Sequence, residues 1–217
     1  MDAPGVPDDE MRRTLLELAR INALLGGYGA SLDAIASLVP PGTTRLRVLD
    51  VGCGGGETSV HIADWARRRG IEAEVHGIDL LDTAVSVASR MKRPGLSFSR
   101  RDLHDIEENE SYDVVHASLM LHHCPGVEAV RALKKMRALS RRGVAINDLH
   151  RHPFAYHSIK ALTAALSDNR LIRHDAPLSV LRAFRQEELR ALFHQAGFAS
   201  VEVRWRWAFR WSATAAR

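Results

Sequence analysis

Apolar positions along this chain switch repeatedly between helical and strand-like spacing. Met11, Leu15, Leu18 and Leu25 recur on one helical face over residues 9–25, and Gly26-Gly27 stop the pattern. Residues 31–38 predict a second short helix, with Ser31 as its N-cap and Pro40-Pro41 behind it. Short, nearly continuous apolar runs then predict strands at 45–51, 71–78, 96–100, 112–117 and 143–147. Helical spacing separates them at 57–69, 82–91 and 127–139. Alternation of this kind builds βαβ units and a parallel sheet covered on both faces, and right-handed crossovers restrict the topology. Past Asp148 the rhythm breaks. Residues 151–184 read as an insertion, with a helix at 154–166 and then a loop ending at Pro177. A helix at 186–196 follows. Strands at 199–207 and 209–215, joined by a tight turn, predict an antiparallel hairpin in which Val201, Val203, Trp205 and Trp207 share one buried face. The expected architecture is α/β: seven strands, mainly parallel, in one domain over 1–217. The helical segment 1–42 and the insertion 151–184 are the candidates for a cap.

Composition narrows the class without naming a function. The 217 residues are 46% apolar and 26% charged, as in ordinary globular domains. No run approaches the roughly 18 apolar residues of a membrane span. The first ten residues are acidic and proline-containing, unlike a signal peptide, so a frayed tail and a cytoplasmic location are expected. The net charge of +4 comes mostly from arginine clusters near element ends. Solvated cations are normal there, and nucleic-acid binding would instead need a basic face with interleaved aromatics. That leaves a small-molecule substrate, an anionic one included. The two cysteines, Cys53 and Cys124, lack a CxxC partner and are expected to be reduced, with no zinc site.

The chemistry concentrates after the first strand. Asp50 is followed by glycines at 52, 54 and 56, where the strand turns into a helix. Glycine tolerates positive φ and lets a ligand touch backbone, and the free N–H groups of the helix start point at that ligand. The dinucleotide fingerprint needs a glycine at relative position six. Counted from Gly52 that position is Glu57, and counted from Gly54 it is Ser59. No Gly-Lys-Ser/Thr follows either, which removes the phosphate-loop reading. A carboxylate at Asp50 would repel a pyrophosphate and suit an ammonium group. At the end of the second strand, Asp79 can accept hydrogen bonds from both hydroxyls of a ribose.

Asp50-x-Gly52-x-Gly54-x-Gly56 resembles the first motif of the class I methyltransferases that use S-adenosylmethionine, and five parallel strands closed by a hairpin resemble their Rossmann-like sheet. The resemblance implies that Asp50, Gly52, Cys53 and Gly54 hold the amino-acid end of the cofactor. It implies further that Asp79 binds ribose and Leu80 packs on the adenine, while Asp102 and Leu103 meet its edge. Ala117 and Ser118 would lie beside the sulfonium. Segments around 22–28, 145–153 and 173–180 look similar to a bacterial subgroup associated with type III polyketide synthases, which adds Tyr28 to the cofactor set. That subgroup points to a phenolic or quinone-like acceptor.

Histidine is the residue type suited to removing a phenol proton near neutral pH. Of 11 histidines, five (His116, His122, His123, His150 and His152) fall at expected strand ends. His123 or His150 is the expected general base. HExxH is absent and His150-Arg151-His152 has no third ligand at a recognisable spacing, so no metal is expected. Phe154, Tyr156, Ile159, Leu162 and Phe184 are candidates to line an acceptor pocket. O-methylation of a phenol is the preferred reading. C-methylation of a quinol, or a non-catalytic protein that only binds the cofactor, are the alternatives. Oligomeric state stays open.

Overall fold

The computed structural model describes residues 7–217, apart from the side chains of Asp8 and Leu166. Seven strands form one sheet in the order β3-β2-β1-β4-β5-β7-β6. They are β1 (Arg45–Val51), β2 (Glu72–Asp79), β3 (Leu96–Arg100), β4 (Tyr112–Ser118), β5 (Ser140–Leu149), β6 (Glu202–Arg206) and β7 (Arg210–Ala216). The first five are mutually parallel, and β7 runs antiparallel to both β5 and β6. The helices are α1 (Asp8–Leu24), α2 (Gly27–Ser37), α3 (Glu57–Arg67), α4 (Asp82–Ala88), α5 (Val127–Leu139), α6 (Pro153–Leu166), α7 (Arg170–Arg182) and α8 (Gln186–Gln195). Strand order reverses between β1 and β4, so a crevice opens at their carboxyl ends, where open α/β sheets bind ligands.

Both faces of the sheet are covered, which is why its strands are apolar almost throughout. Leu46, Val48, Val75, Val114 and Ala145 point to the face packed by Ile35 of α2 and Ile62, Trp65 and Ala66 of α3. Leu49, Val51, Val115, Val144 and Ile146 point the other way, onto Leu133, Met136 and Leu139 of α5 and Leu189 and Phe193 of α8. A third small cluster joins Met11 and Leu15 of α1 to Ala84 and Val87 of α4.

Four expectations need correction. Most of the tail expected at 1–10 lies outside the described residues, but Asp8–Leu24 is already helical. The second helix starts at Gly27, not after Ser31. Gly26 takes the left-handed conformation (φ 69°) as N-cap, and Ser31 is buried inside the helix, accepting from Asn147 Nδ2 at 3.0 Å. α2 therefore packs on β5 and β7 as part of the sheet's covering layer. The loop expected before Pro177 is helix α7, with the proline inside it. An internal proline costs about 3 kcal/mol. The Asn169 cap, whose Oδ1 accepts from Leu171 N at 3.0 Å, and burial of Ile172 and Val180 offset it. Finally, Val203 is buried, but Trp205 and Trp207 are 51% and 65% exposed, because Trp205 lies near the end of the edge strand β6 and Trp207 in the turn after it.

Two solution properties follow. Asn169 also donates to Thr14 on α1 at 2.8 Å. Asn169→Ala should therefore cost about 1 kcal/mol and lower the melting temperature by about 2–4 °C. His76 bridges the Tyr112 and Ser99 hydroxyls at 3.1 and 2.8 Å, and burial, reinforced by Arg101, holds its pKa below the ordinary value. Burial depresses His61 and His150 in the same direction. Below about pH 6.5 the unfolded chain takes up protons that these native imidazoles refuse, so stability present above that pH is lost on acidification. Thermal melts should fall between pH 7.5 and 5.5, and His76→Gln should flatten that slope.

Candidate active site

The glycine turn is strained in the way a ligand cradle requires. Gly52, Gly54 and Gly56 all have positive φ (66°, 55° and 88°). A Cβ on Gly56 would lie 2.7 Å from the Phe98 ring, and one on Gly52 would lie 2.8 Å from Met120 Cγ. At Gly54 nothing comes closer than Leu15 Cδ2 at 3.9 Å, so the backbone there is open on the crevice side. Cys53 is buried and its N–H donates to the Ile78 carbonyl, which joins the loop to β2. Burial, with Asp50 and Asp79 nearby, pushes its thiol far up, so it stays protonated.

Asp79 ties the loops after β1 and β2 together. One carboxylate oxygen accepts from Gly54 N at 2.9 Å and the other from Leu81 N at 3.0 Å. A carboxylate has about four acceptor sites, so two remain for a diol. Leu80 beside it is 61% exposed, free to cover a flat ring. Tyr28 packs its ring 4.1 Å from that of His61 and donates its hydroxyl to the Ala19 carbonyl. This sets the α1–α2 junction beside the start of α3.

Other expected cofactor residues sit differently. Asp50 is 1% exposed, and both its oxygens are taken, by Ser59 Oγ at 2.5 Å and His116 Nδ1 at 2.8 Å. It braces the turn from beneath and does not face a ligand. Leu103 is a core residue, and Asp102 caps its own short turn by accepting from His104 N. Ala117 is likewise in the core, so only its backbone can reach the crevice. Ser118, half-buried, accepts from Asn147 Nδ2 at 3.1 Å.

Beyond β4 a cavity of about 530 Å³ opens, walled by α1, α6, α7 and the β6–β7 turn. Its lining is mostly apolar and includes Leu18, Leu119, Phe154, Ile159, Leu162 and Trp207. Tyr156 and Phe184, expected there, are elsewhere: Tyr156 packs on His157, and Phe184 packs against the main core. His122 and His123 both line the cavity, their rings 4.2 Å apart. His150 does not. Its ring lies 4.4 Å from Trp211 and 5.4 Å from His152, packed behind the wall.

The pair missed from sequence is His122 and Asp148. Asp148 is fully buried and accepts from His122 Nδ1 at 2.6 Å, from the His122 N–H at 3.2 Å and from the Leu149 N–H at 2.7 Å. Burial alone would raise its pKa, but His122 and these bonds together hold it below the ordinary carboxylate value. In the neutral tautomer that donates Nδ1–H to Asp148, the lone pair lies on the other ring nitrogen. That Nε2 is buried and has no hydrogen-bond partner. Among the described residues no group of three or more histidines, cysteines or carboxylates could hold a metal, and no helix is long and apolar enough to cross a membrane.

Residues 48–143 match the family model described as a methyltransferase domain. That region, a little under half of the chain, is similar to a methyltransferase domain. That family uses S-adenosylmethionine, and the open Gly54 backbone and the spare acceptor sites of Asp79 fit its amino-acid and ribose ends. Among curated proteins, the ubiquinone biosynthesis O-methyltransferase of Aeromonas salmonicida is 35% identical over 117 residues, covering 51% of this chain and 46% of the relative. That of Hahella chejuensis is 36% identical over 115 residues, with the same shares. The matched region thus spans about half the length of these relatives. Solved structures share the fold. A plantazolicin methyltransferase with SAH aligns at TM-score 0.71 and 14% identity, covering 98% of this chain and 91% of that one. The magnesium protoporphyrin IX methyltransferase of Synechocystis PCC 6803 with SAH aligns at 0.60 and 20%, covering 88% and 83%.

Asp79→Ala should weaken SAH binding about tenfold or more by calorimetry, since it removes charge-assisted acceptors and unties two loops. An unchanged dissociation constant would count against the ribose assignment.

Proposed function

We propose that this methyltransferase domain transfers a methyl group from S-adenosylmethionine to an oxygen of a small phenolic acceptor. The observation that carries the reading is the His122–Asp148 pair, oriented and buried, at the wall of an apolar cavity beyond β4. When bound, the cofactor supplies an electrophilic methyl on a sulfonium centre. The protein's own residues then have two tasks. The first is to hold the acceptor oxygen in line with that methyl, which by orientation alone can supply several kcal/mol. The cavity walls serve this task. The second is to remove the hydroxyl proton. His122 Nε2 accepts it, and Asp148 fixes the tautomer and stabilises the imidazolium that forms.

For the cofactor, the Gly52–Gly54 backbone and Asp79 hold the amino-acid and ribose ends, Leu80 covers the adenine, and Tyr28 closes the N-terminal side. His123, on the same wall as His122, shapes the acceptor site. Support for the acceptor class is the apolar lining, which suits a flat ring, and the O-methyl transfer named for the ubiquinone-biosynthesis relatives. Phenols of polyketide origin are the acceptors the subgroup resemblance points to.

Incubation with labelled cofactor and a phenol panel tests the reading. Transfer should give O-methyl ethers. His122→Ala should lower kcat about a hundredfold or more while SAH affinity holds, and His150→Ala should leave kcat near the wild-type value. A C-methylated product, or a His122→Ala enzyme of normal kcat, would overturn it.

A further inference from the structure

Arg210 opens β7 opposite Leu149 of β5 and is 2% exposed. It lines the same cavity as His122. Among the described residues of that lining, Arg210 alone carries a permanent charge. Its Nε and Nη1 are buried and make no hydrogen bond. Arg137 and Arg206 also leave a buried Nε unpartnered, but Arg137 lies over the Phe198 ring and Arg206 pairs with Asp33, while Arg101 grips Glu110 through two nitrogens and Arg142 pairs with Asp113.

The neighbours compensate its charge in part but leave its protons unused. Asp148 and Tyr28 act on it electrostatically. Asp148, however, already accepts three hydrogen bonds from His122 and Leu149, and the Tyr28 hydroxyl donates to a carbonyl. Burial brings the guanidinium down to about 10, which still leaves it cationic at neutral pH. Unpaired donors of a buried cation are costly. A cavity that retains such a group is complementary to an anion that supplies the missing acceptors.

We propose that Arg210 is an anion subsite within the acceptor cavity, and that the acceptor is a phenolic carboxylate whose carboxylate pairs with Arg210 while its hydroxyl meets His122. This deepens the proposed function and rests on it. A single cation matches a monoanion. A phosphate dianion would bring an uncompensated charge into an apolar wall. Asn22, whose buried Oδ1 also lacks a partner on this lining, adds a second polar point that a hydroxyl on the ring can satisfy.

Calorimetric titration of the SAH-loaded protein with 3,4-dihydroxybenzoate and with its methyl ester tests the assignment by binding, without turnover. The wild type should bind the acid about tenfold or more tightly than the ester. Arg210→Met should erase that preference and leave SAH affinity unchanged. It should also melt, without acid present, at or above the wild-type temperature, since it replaces an unpaired buried charge with an apolar chain of similar length. Equal affinity for acid and ester, no binding of either, loss of SAH affinity in the variant, or a lower melting temperature would each overturn the proposal. An intact acid preference without methyl transfer would support the Arg210 subsite while overturning the proposed reaction.

Discussion

A carboxylate with no access to water organises this molecule's working end. Asp148 sits near the end of β5, where the sheet passes from its parallel half to its antiparallel hairpin. A buried charge is tolerated only when paired and hydrogen-bonded. Here one partner is remote in sequence and the other is the next residue of the same strand. His122 belongs to the turn after β4, and Leu149 is the last residue of β5. Satisfying Asp148 therefore aims an imidazole and fixes the path of the chain after β4 at once. The same carboxylate acts on Arg210 across the β5–β7 pairing. Breaking one partner of such a group costs more than the bond itself, because the charge remains buried.

Backbone strain gathers around that point. Leu119, Ala208 and Phe209 have positive φ (55°, 62° and 55°) without being glycine. All three line the cavity. Conformations of this kind cost of order 1–3 kcal/mol each and persist when surrounding structure imposes them. The Leu119 N–H donates to the Asn147 carbonyl at 2.8 Å, which pins the turn to β5. Phe209 stacks on His152 at 5.1 Å and its carbonyl accepts from His150 N. Asn147 ties the same strand to α2, through Gly27 and Ser31. The cavity is thus bounded by turns held in unfavourable conformations by buried hydrogen bonds. His150 takes part as a packing element behind that wall.

The parts legible in the sequence were those written in local periodicity. Five parallel strands, the glycine turn and the hairpin follow from spacing and from Gly52, Gly54 and Gly56. Helix α7 was not legible, because Pro177 is a stronger local signal than the Asn169 cap, and the burial that outweighs it depends on contacts with α1 and α6. Asp50 is a related case. Its position at a strand end invites a ligand, yet the groups that consume it, Ser59 and His116, lie on the next helix and on the neighbouring strand. His122 and His123 are adjacent and alike in sequence, and only the β4–β5 pairing decides which one meets a carboxylate. Asp148 carried a usable signal, an acid within an apolar strand, that periodicity alone does not weight.

Arg210 shows the limit most clearly. In sequence it is one of a basic cluster near the C-terminus, and such clusters are normally solvated. Pairing with β5 turns this member inward, whereas Arg204 on the same hairpin remains exposed and pairs with Glu202. A protein selected for stability alone would gain by replacing an inward arginine whose donors go unused. Its placement beside a histidine whose Nε2 is also unpartnered puts two unmet polar demands, one for an anion and one for a proton donor, within a single apolar cavity. An acceptor bearing a carboxylate and a hydroxyl answers both. A neutral acceptor would answer only the second and leave the cost of the buried guanidinium standing.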